Sequence, residues 1–365
     1  MIEITKIINK ARVLTIVTNS VFRFIFYIIR RIVKLLTGHL ENIVVISLHK
    51  LGDSVLTIPA IREIQNLYRK EIVIFCFAEA IPIYKVALEN VKFHSTNKNN
   101  FYFGNRICNH KTRRELARLK PKIIFDITGF MTSATLIFNS RAKQIIGMNR
   151  PHFSTIYDNY IPINRRPHLM DMYLDIIDSV TPNKIDRSKI KAFPKSEKKV
   201  GSALVHFTAG WKAKEWNKKK YFNLVLKLAE EIRITVISNK NELPIDLKTE
   251  LNLENINLIT TDSIDELINQ IQSSSYFIGN DSGPLHIADL LGKPTFSIYG
   301  PTNPKYPMPI GNHHSYIEKK IECSTLSIQE LCFTNGGRVG CSSYECMNLL
   351  SVKQVKDKLV QHLNR

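Results

Sequence analysis

Acid is scarce where this chain begins: its first forty residues hold seven Lys or Arg against one carboxylate, Glu3. Long apolar runs are missing too. The longest stretch nearly free of charge, residues 13–29, still carries Thr18, Asn19, Ser20 and Arg23. That is short and polar for a membrane-spanning helix. No small-residue cleavage site follows a clean apolar region, so a removable signal peptide is not expected. Cysteine is sparse: six in 365 residues make no disulfide scaffold and fit a reducing compartment. Cys323, Cys332, Cys341 and Cys346 come late and without standard zinc spacing, and are expected as free thiols in a compact C-terminal flap. Finger-type Cys/His spacing, an RNA-binding aromatic signature and a dense basic block are all absent, so no nucleic-acid partner is expected. No short-period repeat appears, which excludes a solenoid.

Positive charge, by contrast, is in excess. The formal net charge is +19, from 51 Lys and Arg against 32 Asp and Glu. Such a field draws anionic lipid or phosphorylated substrates and says nothing about fold. Part of it lies on residues 21–36, which read as a helix. There Arg23, Arg30 and Lys34 form a narrow stripe with Arg31 at its edge, and Phe22, Phe24, Ile25, Ile28, Ile29, Ile32, Leu35 and Leu36 fill the rest. One reading sinks the apolar face into an anionic membrane surface with the cations on the headgroups. The other packs that face on the protein's own body.

The remainder holds roughly two domains, with 44% hydrophobic residues to fill their cores. β-Branched apolar runs at 43–48, 71–77 and 122–126 read as strands buried on both faces, with further strands at 142–147 and 155–161 and a helix over 54–68. After a lysine-rich stretch the alternation resumes: strands at 203–207, 234–238, 276–278 and 295–299, helices at 218–232, 263–273, 283–291 and 351–363. Alternating strands and helices predict parallel, doubly wound sheets. The expected division is a basic segment 1–40, a first αβα domain 41–180, a linker 181–199, a second αβα domain 200–350 and a closing helix 351–365. Ligands of such sheets bind at the carboxyl ends of the strands.

Three stretches sit at such ends. Gly52-Asp53 follows the first strand; Asp53 reads either as a general base at a cleft mouth or as the cap of a helix starting at Ser54. Lys214, in Ala209-Gly210-Trp211-Lys212-Ala213-Lys214-Glu215-Trp216, reads as a partner for a diphosphate or a carboxylate, or as a solvated lysine. In Asn280-Asp281-Ser282-Gly283-Pro284-Leu285-His286, Asp281 or Ser282 is expected to cap the next helix. Gly283 there opens the backbone to a ligand, and the helix start suits a phosphate. Asp262-Ser263-Ile264-Asp265 reads as a cap and first turn, and no metal ligand is expected.

Taken together these residues resemble glycosyltransferase family 9, the lipopolysaccharide heptosyltransferases. The resemblance rests on Leu51-Gly52-Asp53-Ser54-Val55-Leu56-Thr57-Ile58-Pro59-Ala60, on Lys214-Glu215-Trp216, on the block from Asn280 to His286 with Gly292-Lys293-Pro294, on Tyr299-Gly300-Pro301-Thr302, and on His168 with Asp171-Met172-Tyr173. It implies a GT-B fold, two Rossmann-like αβα domains facing across a cleft. It also implies inverting, metal-independent transfer from a nucleotide sugar, by default ADP-heptose, to a lipid-linked oligosaccharide, with no cofactor. Asp53 would be the catalytic base and Lys214 would contact the donor phosphate. Ser282 and Gly283 would hold the diphosphate by their amides, Asp281 and His286 would face the sugar and phosphates, and Glu242 would accept from the ribose hydroxyls. Another nucleotide sugar, for O-antigen or capsule, and a catalytically silent membrane-tethered binding module are the alternatives. The expected location is cytoplasmic, at the inner membrane.

Overall fold

In a computed structural model, the structure describes residues 2–36, 38–163, 168–190, 193, 201–238, 255–325, 331–332, 341 and 343–363, with the side chains of 2–18 and of Asn105 left aside. It contains two six-stranded parallel sheets. The first is built from β1 (Asn42–Ser47), β2 (Ile72–Phe77), β3 (Val91–Thr96), β4 (Pro121–Asp126), β5 (Gln144–Asn149) and β6 (Asn159–Pro162). The second uses β7 (Ser202–His206), β8 (Arg233–Ser238), β9 (Ile256–Thr260), β10 (Tyr276–Asn280), β11 (Thr295–Tyr299) and β12 (His314–Glu318). Their orders are the same, β3-β2-β1-β4-β5-β6 and β9-β8-β7-β10-β11-β12. Each order reverses direction beside its first strand, between β1 and β4 and between β7 and β10. In open α/β sheets that reversal splays the loops and leaves a crevice. Asp53 follows β1, Lys214 follows β7 and Asp281 follows β10, so all three lie at switch points.

The central strands are apolar and fully buried: β2, β10 and β11 expose no residue. The strands that the sequence did not announce, β3, β9 and β12, all lie at sheet edges and are only half-buried. Val91-Lys92-Phe93-His94-Ser95-Thr96 pairs on one side only, so it needs no apolar run. The strand expected over 155–161 is a 3-10 turn, Pro151–Ile156, followed by the short edge strand β6.

The helices that matter are α1 (Ile2–Leu35), α2 (Leu51–Tyr68), α3 (Leu169–Asp178), α4 (Lys218–Ala229), α5 (Gly283–Leu290) and α6 (Val352–Leu363). His168 caps α3: its Nδ1 accepts from the Met170 N–H, and its Nε2 lies 2.8 Å from the Met308 carbonyl oxygen of the second lobe. Arg187 folds the chain back on α3 by pairing with Asp171, Asp175 and Asp178. One apolar cluster runs through both lobes, with Val55 and Ile58 of α2 and Leu285 and Ala288 of α5 among its members. The lobes therefore share an apolar seam where α2 meets α5.

The N-terminal helix is longer than residues 21–36, and most of its apolar face is not packed on the protein's own body. Arg30 and Lys34 of the cationic stripe turn inward, while Arg23 and Arg31 stay exposed. Arg30 is 5% exposed and donates to the carbonyls of Ser140 and Ala142 and to Asp158 Oδ2, at 2.7–2.8 Å. Lys34 pairs with the same carboxylate, and Phe26 lies between Phe138 and Phe153. Burial raises the Asp158 carboxyl, but Lys34, Arg30 and the Ile145 N–H together hold it below the usual range. The apolar face stays outside: Phe22, Phe24, Ile25, Ile28, Ile32, Leu35 and Leu36 are 39–80% exposed. Among the described residues no helix is long and apolar enough to cross a membrane.

Candidate active site

The turn after β1 stands on a buried polar network. His49 Nδ1 is 2.8 Å from Ser47 Oγ, and its Nε2 is 3.3 Å from the Tyr173 hydroxyl of α3. The Tyr84 hydroxyl lies 2.6 Å from Ser47 Oγ and 3.1 Å from Thr57 Oγ1. Burial pushes His49 down to about 3, so its imidazole is neutral and serves as a fixed strut. α2 then begins at Leu51, after Lys50 in extended backbone with no side-chain cap. Asp53 is therefore not the cap of a helix starting at Ser54. It stands, half-buried, inside the first turn of a helix already begun, where a carboxylate is favoured by the helix dipole.

A residue that the motifs did not include lies beside this turn. Asp126, buried at the carboxyl end of β4, accepts from the N–H groups of Thr128 and Gly129 and, at 2.7 Å, from the Tyr157 hydroxyl. Burial raises it to about 6. Thr128 Oγ1 in turn accepts from the Leu48 N–H at 2.9 Å, so Asp126 shapes the floor under the Asp53 turn. An acid ending an apolar strand was the available signal.

In the second lobe the chain leaves β7 and forms a 3-10 turn, Lys212–Lys214. Trp216 anchors it: the ring is fully buried, its Nε1 donates to the Leu350 carbonyl at 3.2 Å, and it packs edge-on against Tyr221. Asn280 locks the loop to β10. Its Oδ1 accepts from the Trp216 N–H and the Tyr221 hydroxyl, and its Nδ2 donates to the Phe207 carbonyl. So held, Lys214 Nζ reaches 2.6 Å from Asp281 Oδ2, with the carboxylate 5% and the lysine 24% exposed.

Ser282 occupies the cap position of α5, but its side chain makes no capping hydrogen bond. The expected cap by Asp281 or Ser282 is thus absent, because Asp281 is committed to Lys214. Ser282 Oγ is buried without a hydrogen-bond partner, and Pro284 brings no N–H of its own. His286 is buried. Burial outweighs the neighbouring Asp281 and Asp289 and lowers it to about 4, so it stands beside the ion pair as a neutral ring.

The two helix starts meet. A Cβ placed on Gly52 would come within 2.9 Å of His286 Cδ2 and 3.4 Å of the Gly283 Cα; one on Gly283 would come within 3.2 Å of Leu51 Cβ. Gly283 is accordingly explained by close approach of the opposite lobe. The first turn bearing Asp53 thus lies against the turn bearing Asp281, Ser282 and Gly283. Beside this seam opens a cavity of about 340 Å³ lined by Leu56, Pro59, Arg62, Met170, Phe193 and Asp289 among others. Gly52→Ala is expected to force the helix starts apart, lowering the melting temperature by several degrees, about 1–3 kcal/mol for such overpacking. Calorimetry checks this; an unshifted transition would show the seam to be looser than described.

Glu242 lies outside the described residues. Among those described, the one group able to hold a cation is Asp289, His313 and His314, whose ligand atoms lie within 4.8 Å of one another. His314 Nδ1 is 2.8 Å from Thr295 Oγ1 and its Nε2 is 2.9 Å from Asp289 Oδ1, a buried pair tying β11 and β12 to α5.

Two Rossmann-like lobes with matching strand orders, a carboxylate on one switch point and a lysine–carboxylate pair on the other, define a GT-B glycosyltransferase. The chain belongs to glycosyltransferase family 9 (heptosyltransferase), whose family model matches residues 109–332, more than half of its length. That span includes Lys214 and the block from Asn280 to His286 and begins after Asp53. Lipopolysaccharide heptosyltransferase 1 of Pseudomonas aeruginosa is 22% identical over 304 residues, 78% of this chain and 85% of that protein. Lipooligosaccharide heptosyltransferase 2 of Haemophilus influenzae is 25% identical over 125 residues, 32% of this chain and only 36% of that protein. The structure of the Escherichia coli heptosyltransferase WaaC with ADP superimposes with a TM-score of 0.61 at 14% identity, covering 89% of this chain and 98% of that one.

Proposed function

We propose that this enzyme transfers a heptose from ADP-heptose, with inversion and without a metal ion, to a lipopolysaccharide core or a related lipid-linked glycan. The observation that carries the reading is the contact of the two helix starts, Asp53 on one and the Lys214–Asp281 pair beside the other. Asp53 takes the proton from the attacking hydroxyl of the acceptor. The acceptor oxygen bonds to the anomeric carbon from the face opposite the diphosphate, and the bond from that carbon to the phosphate oxygen breaks. Negative charge then grows on the departing ADP. Lys214, the amides of Ser282 and Gly283 and the positive end of α5 compensate it. Asp281 holds Lys214 in place. ADP is favoured as the nucleotide by the solved relative that carries it, and the acceptor by the named functions of the curated relatives. Glu242 is kept as the candidate for the ribose hydroxyls. The working domains are 41–180 and 200–350, joined by 181–199, with segment 1–40 before them and helix 351–365 after. A ligand that binds only the folded state raises its melting point. A thermal-shift screen is therefore expected to rank ADP and ADP-heptose above UDP, GDP and their sugars; a larger shift with a uridine or guanosine sugar would replace the donor.

We further propose that α1 rests on the cytoplasmic face of the inner membrane with its apolar face in the lipid. Eight exposed large apolar side chains between Val21 and Leu35 of one helix exceed what a monomer leaves uncovered without a use. The inward cations fix the helix to the first lobe, and Arg23 and Arg31 remain outside to meet anionic headgroups. In flotation with vesicles containing anionic phospholipid, the protein is expected to rise with the lipid, and Phe24→Glu/Ile28→Glu to stay at the bottom. Equal flotation of both proteins would remove α1 from that role.

A further inference from the structure

The far end of α5 carries a second cluster of polar side chains. Asp289 lies about 9 Å along the helix from Gly283, at ~1.5 Å per residue. It meets His313 and His314 where β12, the edge strand, begins. Successive residues of a strand point to opposite faces, but His313 precedes β12, and its ring centroid lies 3.9 Å from that of His314. One ligand atom from each of the three residues lies within 4.8 Å of the other two. The His314 and Asp289 side chains are 1% and 5% exposed. His314 Nδ1 is 2.8 Å from Thr295 Oγ1; with the ring donating there, Nε2 carries a lone pair. That nitrogen lies 2.9 Å from Asp289 Oδ1, yet the two are out of line for a hydrogen bond, and neither atom has a hydrogen-bond partner. A shared proton would bring N–H and oxygen into line. Two ligands of one ion stand differently. Each aims at the ion, off the line joining them, and ligands about 2.1 Å from zinc lie roughly 3 Å apart. The main chain of His313 is fixed as well: its carbonyl accepts from the Thr295 N–H at 3.3 Å and lies 3.2 Å from His362 Nε2 of α6. Asp289 also lines the cavity of about 340 Å³, which gives an ion a way in.

We propose that Asp289, His313 and His314 bind one zinc ion, which braces the end of α5 against the start of β12. Two imidazoles and a carboxylate suit a borderline divalent ion and not a hard one such as magnesium. A water completes the tetrahedron. Thr295 is the outer partner that fixes the His314 tautomer, as hydrogen bonds to ligating imidazoles commonly do. The ion also supplies the positive charge that a carboxylate this deeply buried needs. The site lies at the opposite end of α5 from Ser282 and Gly283, takes no part in sugar transfer and does not depend on the donor.

The test uses the full chain without a histidine tag, stripped with chelator, desalted and titrated with zinc chloride. The unaltered protein is expected to bind one more ion per chain than His313→Gln does. Its melting temperature is expected to rise by several degrees with zinc, because the ion binds only the folded state, while that of His313→Gln rises less. His313 is half-buried and precedes the strand, so this variant is expected to fold. Asp289→Asn keeps the side-chain shape, is read beside it and is expected to lose the same ion. Cobalt(II) in place of zinc separates this site from any thiol: the visible bands of nitrogen and oxygen ligation are expected to vanish in His313→Gln, and those of sulfur ligation to be the same in both proteins. Equal zinc binding with equal melting shifts in the unaltered protein and His313→Gln, or a cobalt spectrum that the substitution leaves unchanged, would overturn the assignment and leave Asp289 and His314 as a plain buried pair.

Discussion

Asp53→Ala is expected to keep ADP binding intact and to slow transfer by about 100- to 10,000-fold, the range of a positioned general base. The carboxylate stands in the first turn of α2, at the seam with the second lobe, while the Lys214–Asp281 pair lies wholly in that lobe. Removing a short side chain that is neither a core member nor a helix cap leaves the fold standing. Asp53→Asn has the same shape without a basic oxygen and should be equally slow. Turnover at saturating donor, paired with calorimetric ADP binding, separates the outcomes. Unchanged turnover removes Asp53 from catalysis, and parallel loss of ADP binding makes its role structural.

Lys214→Ala carries the second large effect, in two parts that can be told apart. It leaves Asp281, 5% exposed, as a buried carboxylate without its cation, which costs about 3–5 kcal/mol. It also removes the cation facing the leaving diphosphate, lowering kcat by about 100- to 1,000-fold. In Lys214→Ala/Asp281→Ala the buried charge is gone, so the melting temperature recovers while the rate stays low. If rate and stability recover together, the lysine only supports the fold.

Much of this site was legible in the sequence because its parts are local. A buried parallel strand, a short turn and a helix start are written in consecutive residues, and both sites were read that way as strand ends, whereas their place at switch points needed the strand orders. What was not legible depends on partners far along the chain. Asn280 looked like part of a turn, yet it holds Trp216 and Tyr221, some sixty residues away. Ser282 looked like a cap, but Asp281 had been taken by Lys214 and Ser282 Oγ stayed without a partner. The periodicity of α1 gave its two faces but not which one turned inward, because Asp158 draws Arg30 and Lys34 from more than 120 residues away. The edge strands were missed for a different reason, since pairing on one side leaves their sequences half polar.

The most direct test incubates the purified enzyme with ADP-heptose, a heptose-deficient lipopolysaccharide acceptor and excess EDTA, and follows the acceptor by mass spectrometry and its new anomeric signal by NMR. One added heptose with inverted configuration, lost in Asp53→Ala, is the predicted result. An acceptor of unchanged mass, or a sugar transferred with retention, would contradict it.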